Sequence, residues 1–154
     1  MKPTDSQLGY VELVGRWWEA QGQSRTGGRI LGWLMICEPP HQSASDLIEN
    51  LSISSGSVSM LIRQLELIDL VERVTFPGDR TTYFQIPRYA WSGVMSGEQR
   101  RIKEMGELVV AAEPVMPESR QDRIADLGHL VDFFDREWPD LMERFQRQLD
   151  KEAP

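Results

Sequence analysis

The sequence predicts a mainly α-helical protein with one small β-hairpin, and three observations lead there. Apolar residues recur at spacings of three and four over most of the 154 positions. Between Ser43 and Ile68 two short helical stretches are joined by the tight polar turn Ser52-Ile53-Ser54. Directly after them, the runs Val71–Phe76 and Thr81–Ile86, rich in Val, Thr, Phe and Tyr, flank the turn Pro77-Gly78-Asp79-Arg80. Two helices with a tight turn, followed at once by a hairpin, describe a winged helix-turn-helix.

Residues 5–20 place Leu8, Val11, Val14 and Trp18 on one helical face, with Asp5 or Ser6 as the N-cap. The stretch GQSRTGG is read as a break. A second apolar helix, Arg29–Cys37, carries Ile30, Trp33, Leu34 and Cys37 on its inner side. It ends at Glu38-Pro39-Pro40, because proline lacks an amide and disfavours helix in the residue before it. Ser43 and Asp46 form a capping-box pair opening a helix with Ala44, Leu47, Ile48 and Leu51 on one face. The next helix runs from about Ser55 to Ile68.

After Trp91 the chain turns helical again over roughly Glu98–Ala112 and breaks at Glu113-Pro114-Val115-Met116-Pro117. Beyond it Ile124, Leu127, Val131, Phe134, Trp138, Leu141 and Phe145 follow spacings of 3, 4, 3, 4, 3 and 4. That is a heptad stripe, with charged residues filling most other faces. Pro139 predicts a kink or a restart in this last helix. A stripe of this length needs a covering partner, and a second copy of the chain is the economical one. The expected organisation is therefore residues 1–91, N-terminal helices and a winged DNA-binding region, then residues 92–154, a helical dimerisation region.

Composition narrows the function. One cysteine, Cys37, excludes a disulfide framework and a CxxC redox pair. No apolar run approaches the roughly 18 residues of a membrane span, and no signal-peptide layout opens the chain, so a cytoplasmic protein without a membrane partner is expected. The net charge of −7 divides unevenly: 8 basic against 10 acidic residues up to Trp91, then 9 against 14. This sign argues against indiscriminate nucleic-acid binding but leaves room for a local basic surface. Arginine supplies 14 of the 17 cations, which suits bidentate contacts. His41 and His129 stand alone without ligand spacing, paired carboxylates such as Asp132 and Asp135 are read as solvated helix charges, and no phosphate loop or catalytic constellation is present. No enzyme, metal or cofactor is expected.

Ser43–Ile86 resembles the winged-helix core of MarR-type bacterial transcriptional regulators. The residues that carry the likeness are Val58-Ser59, Leu65-Glu66, Leu70-Val71-Glu72-Arg73 and the Asp79-Arg80 wing tip. The upstream Gly28-Arg29-Ile30-Leu31-Gly32-Trp33-Leu34 and the wing's Pro77-Gly78-Asp79-Arg80 are more similar to the GbsR branch. Met60 stands where the main branch often has arginine. The resemblance implies sequence-specific binding of double-stranded DNA, as a homodimeric repressor on a pseudo-palindrome, and an arginine at the wing tip that enters the minor groove. GbsR-branch regulators are associated with choline and glycine betaine metabolism, which raises a cation–π cage among Trp17, Trp18, Trp33, Trp91 and Trp138. Apolar spacing already accounts for Trp18, Trp33 and Trp138 as core or dimer-interface residues, and that is the preferred reading.

At about 100° per residue the second helix of the motif separates Val58, Leu61, Ile62, Leu65 and Ile68 from Gly56, Ser59, Met60, Arg63 and Leu67. Small residues at its front let it sit deep in a major groove, and Arg63 can read guanine or hold a phosphate. Leu67 is expected to pack near the turn. The candidate DNA contacts are Ser55, Gly56, Ser57, Ser59, Met60, Arg63, Asp79, Arg80 and Thr81, with Asp79 orienting the Arg80 guanidinium. Arg73 and Arg88 are phosphate contacts or solvated charges. A small-molecule effector between the two regions is a further expectation, and a winged-helix module that binds protein rather than DNA is the competing reading.

Overall fold

The computed structural model describes residues 2–152. Helix α1 spans Asp5–Ala20, α2 Arg25–Leu34, α3 Ala44–Leu51, α4 Ser55–Leu67, α5 Ala90–Ala112 and α6 Asp122–Glu152. Three short strands, β1 Gln42–Ser43, β2 Glu72–Val74 and β3 Tyr83–Gln85, form an antiparallel sheet in the order β1-β3-β2. Contacts divide the chain within α5 into two compact units, one up to Val94 and one from Met95 onward.

In the first unit, α1 opens at Thr4, whose side chain and that of Gln7 cap each other's backbone amides. The cap therefore lies one residue before the expected Asp5 or Ser6, and Asp5 instead places its charge in the first turn, where the helix dipole favours it. Helix α2 starts at Arg25 behind an N-cap serine, Ser24, four residues earlier than the glycine pair suggests. Gly27 and Gly28 are not breakers here. A Cβ at Gly28 would stand 2.5 Å from Trp18 Cβ and 2.9 Å from Gly15 Cα, so Gly28 is where α1 and α2 touch, whereas a Cβ at Gly27 would meet only ordinary contacts. Glu12 on α1 accepts a 2.8 Å hydrogen bond from Arg25, which holds its carboxyl below the usual carboxylate value. Arg29 Nε lies 2.7 Å from the other Glu12 oxygen, off the N–H axis, as an ion pair, while its Nη2 donates to Leu51 O at the end of α3.

The core of this unit joins Val11, Ile30, Leu31, Trp33, Leu34, Leu47, Leu51, Val58, Leu61, Ile62, Leu65, Leu70 and Phe84. The predicted inner positions of α2, α3 and α4 are buried, apart from two that lie at the edge, Ala44 and Ile48, and one that is exposed, Ile68. Helix α4 stops at Leu67, and Asp69 takes a left-handed conformation (φ 57°), turning Ile68 out of line with Leu65.

The strand β1 has no signal in the sequence. It pairs with the inner strand of the hairpin, Gln42 opposite Phe84 and Ser43 opposite Tyr83. Gln42 is 5% exposed and fully engaged. Its Oε1 accepts from Trp33 Nε1 at 3.0 Å and Asn50 Nδ2 at 3.2 Å, and its Nε2 donates to the carbonyls of Pro39 and His41. One buried amide thus ties α2, α3 and the sheet together.

Cys37 is buried, and burial pushes its thiol up to about 11. An unfolded thiol ionises near pH 8.5, so this contribution to stability is complete below that value and is lost as pH rises toward 11. Cys37 is expected to resist a thiol reagent at pH 8 until denaturant is added, with the urea midpoint falling between pH 8 and 10.5. Equal labelling rates in folded and unfolded protein would contradict the burial.

Helix α5 begins at Ala90, within the first unit, rather than near Glu98, and continues through Gly93 and Gly97 into the second. Two short 3-10 turns, Glu113–Val115 and Glu118–Arg120, occupy the predicted break. Helix α6 runs through Pro139 without restarting. Of its stripe, Val131 and Trp138 are buried, Ile124, Leu127, Phe134 and Phe145 half-buried, and Leu141 exposed. Gly106 on α5 faces Val131, and Gly128 on α6 faces Val109. The two helices border a groove of about 720 Å³ floored by Gly106, Val109 and Val131.

Candidate nucleic-acid interface

The Ser43 capping box is present as read, with Asp46 Oδ2 accepting from both the amide and the hydroxyl of Ser43. It sets the start of α3, and Ser52, in the left-handed conformation (φ 53°), reverses the chain into α4. Ser54 caps α4 by accepting from the Ser57 amide, and the two hydroxyls lie 2.8 Å apart. Ser57 therefore belongs to the cap, half-buried, rather than to the open face. Ser55, Gly56, Ser59, Met60 and Arg63 are all exposed; Gly56, Met60 and Arg63 lie on the side of α4 opposite Val58, Leu61, Ile62 and Leu65, Ser59 lies on its flank, and Ser55 stands at its N-terminus in line with Val58 and Ile62. Leu67 does not pack near the turn. It is 81% exposed, because α4 ends there and the following turn carries the chain away.

The wing is ordered by its own side chains. Asp79 Oδ1 accepts from the Thr81 amide at 2.8 Å and Oδ2 from the Tyr83 hydroxyl at 2.7 Å. Both contacts stabilise the carboxylate and hold its ionisation below the usual range, the amide contributing most. Asp79 therefore shapes the turn, and the expected ion pair to Arg80 is not among those formed by the described residues. Behind the turn the rings of His41, Phe76 and Tyr83 pack on one another, His41 lying 4.7 Å from Phe76 and 5.0 Å from Tyr83. Gln85 donates to Glu72 across the strands at 2.7 Å. His41 and Tyr83 were invisible as wing supports because their proximity depends on β1.

Charge is partitioned between structure and surface. Arg73 makes a two-pronged ion pair with Glu66 of α4, Nη2 to Oε2 at 3.0 Å, and lies over the Phe84 ring. It fixes the wing to α4 and is not a free phosphate contact. Arg88 lies over the Tyr89 ring. Among the described residues Arg63 and Arg80 have no acidic partner, so α4 and the wing tip each present one uncompensated guanidinium. No group of three or more His, Cys, Asp or Glu among the described residues is placed to hold a metal ion. Trp17 and Trp18 are the one tryptophan pair in ring contact among the described residues.

No family model matches the sequence. Over 145 residues, 90% of this chain and 86% of the relative, it is 32% identical to the HTH-type transcriptional regulator MmpR5 of Mycobacterium tuberculosis. The chain belongs to the helix-turn-helix transcriptional regulators. A crystal structure of a transcriptional regulator, 31% identical, superposes on the regulator with a TM-score of 0.76, over 92% of this chain and 99% of that one. The regulator is thus a DNA-binding protein of the winged helix-turn-helix type. No helix among its described residues is long and apolar enough to cross a membrane.

Proposed function

We propose that the regulator is a cytoplasmic repressor of the MarR type, nearest the GbsR branch, that binds a pseudo-palindromic operator as a homodimer. The observation that supports this most directly is the pairing of an open, small-residue face on α4 with an unpaired arginine there and another at the wing tip. In this reading Ser55, Gly56, Ser59, Met60 and Arg63 enter the major groove, while Arg80, with Thr81 beside it, follows the adjacent minor groove, where narrow A·T-rich DNA concentrates negative potential. Asp79 contributes by holding the turn. Residues beyond about Trp91 supply the dimer, whose two-fold axis sets the two half-sites one helical turn apart. A small-molecule effector acts on such a dimer by binding one spacing of the recognition helices better than another. The groove bordered by α5 and α6 is where this chain offers room for one.

Selection of bound sequences from a random DNA pool tests the reading directly. A palindromic consensus is expected, with Arg63→Ala costing about 1–3 kcal/mol and relaxing one position of each half-site. Arg80→Ala is expected to weaken all sites alike and flatten the salt dependence, because a groove-inserted arginine acts mainly through charge. Enrichment of no sequence, with both variants matching the parent at fixed salt, would leave the protein-binding alternative in its place.

A further inference from the structure

We propose that Met60 is a specificity-determining residue that reads the C5-methyl group of a thymine in each half-site. The proposal rests on the reading of α4 as the major-groove helix and adds to it a chemical identity for one position.

The line Gly56, Met60, Arg63, Leu67 has spacings of 4, 3 and 4 and so runs straight along the open face of α4. Met60 is the large apolar side chain in the middle of that line and is 55% exposed, beside the unpaired Arg63. Of the polar residues near it, Ser59 is short and Ser57 is spent on its cap, while Arg63 and Gln64, one turn further on, are the long ones. A Cβ placed on Gly56 would meet nothing within 4 Å, so the helix is bare one turn before Met60, the direction in which helical side chains lean. The face therefore offers an unbranched thioether beside a stretch of bare helix backbone.

The major groove displays hydrogen-bonding groups on every base pair and one apolar group, the thymine methyl. A methionine on the reading face has no hydrogen bond to give those polar edges. It gains by covering the methyl, with a polarizable sulfur and three rotatable bonds that adapt to its position. Arg63 lies three residues further along, about 4.5 Å of helix rise, which brings its guanidinium to a base pair next to or one beyond the one Met60 covers. A thymine close to a guanine in each half-site is the predicted signature.

The test uses the full-length protein and the consensus obtained by selection from random DNA. Each thymine of the site is replaced in turn by deoxyuridine, which removes the methyl and keeps the pairing. Loss of one buried methyl is expected to lower affinity about three- to ten-fold at one thymine per half-site. Met60→Ala, at an exposed position, is expected to fold with unchanged melting temperature, to bind the thymine site more weakly, and to be indifferent to deoxyuridine at that position. Met60→Leu is expected to restore the sensitivity in part. Two outcomes overturn the proposal while leaving α4 as the reading helix: selective binding that ignores every deoxyuridine replacement, or a Met60→Ala protein that keeps the parent's sensitivity. Absence of any selected sequence overturns the reading of α4 and this proposal with it, and is told apart because the parent itself fails.

Discussion

Gly28→Ala is expected to destabilise the regulator by about 3 kcal/mol or more, although it adds a single methyl. The added carbon would stand 2.5 Å from Trp18 Cβ, 2.9 Å from Gly15 Cα and 3.0 Å from Val14 O. These atoms belong to, or are attached directly to, the backbone of α1, so no rotamer change relieves them. The two helices must separate, and separation opens the core at Val11, Ile30 and Leu31, which are fully buried. Gly9→Ala provides the control within the same helix pair, since nothing lies within 4 Å of its Cβ. There the usual preference of a helix interior for alanine should add about 0.5–1 kcal/mol. Urea unfolding of both variants decides the matter. Equal midpoints would mean that α1 and α2 do not approach as closely as described.

The second large effect concerns association. Phe133 and Leu141 on α6 are 50% and 43% exposed within the single chain. Leu130 on α6 and Leu108, Val110 and Val115 before it are exposed too, which makes an unusually apolar surface for one small unit. Burying a whole Phe or Leu gains roughly 1.5–3 kcal/mol, and about half of each of these side chains is still open, so the four that two copies contribute amount to about 3–6 kcal/mol. Losing that much weakens association by about a hundredfold or more, and the introduced carboxylates add the cost of burying charge. Phe133→Asp with Leu141→Asp is therefore expected to give a folded monomer by sedimentation, with operator affinity down at least a hundredfold. Choosing exposed positions keeps the fold out of the outcome. Val131 and Trp138, buried within the chain, would confuse loss of dimer with loss of structure. A parent protein that sediments as a monomer at micromolar concentration would remove the dimer from the proposed function.

Much of the architecture is legible in the sequence where local chemistry is sufficient. The Ser43–Asp46 box, the period of α4 and the Pro77-Gly78 turn each state their structure within a few residues. What escapes depends on distant partners. Gly27 and Gly28 look like a break because glycine is a poor helix former, yet here Gly28 admits α1 at close range. Strand β1 is two residues long, too short for any alternation, and exists because β3 has a free edge. Asp79 looks like a neighbour for Arg80 by adjacency, whereas Thr81 and Tyr83 hold it. Arg73 looks free until Glu66 is brought alongside. At the candidate interface the open face of α4 is readable from periodicity, but which cations remain unpaired is a three-dimensional result.

The sheet order β1-β3-β2 places the last strand in sequence at the centre, bonded on one side to a segment that precedes α3. The wing is consequently more than a local hairpin. Its central strand pairs with β2 across a short turn, but its second edge is covered only when the loop between Ser43 and Tyr83 is closed, so the finished sheet is expected to depend on the whole unit. Amide exchange should record this asymmetry. The β3 amides directed at β1 should exchange only on global opening, while those of the exposed outer strand β2 should be released by local fraying. The tip between Phe76 and Thr81 lies outside both ladders and can accept inserted residues without shifting the register of either. The length of the wing can thus vary, in evolution or by design, without disturbing the pairing of the strands that carry it.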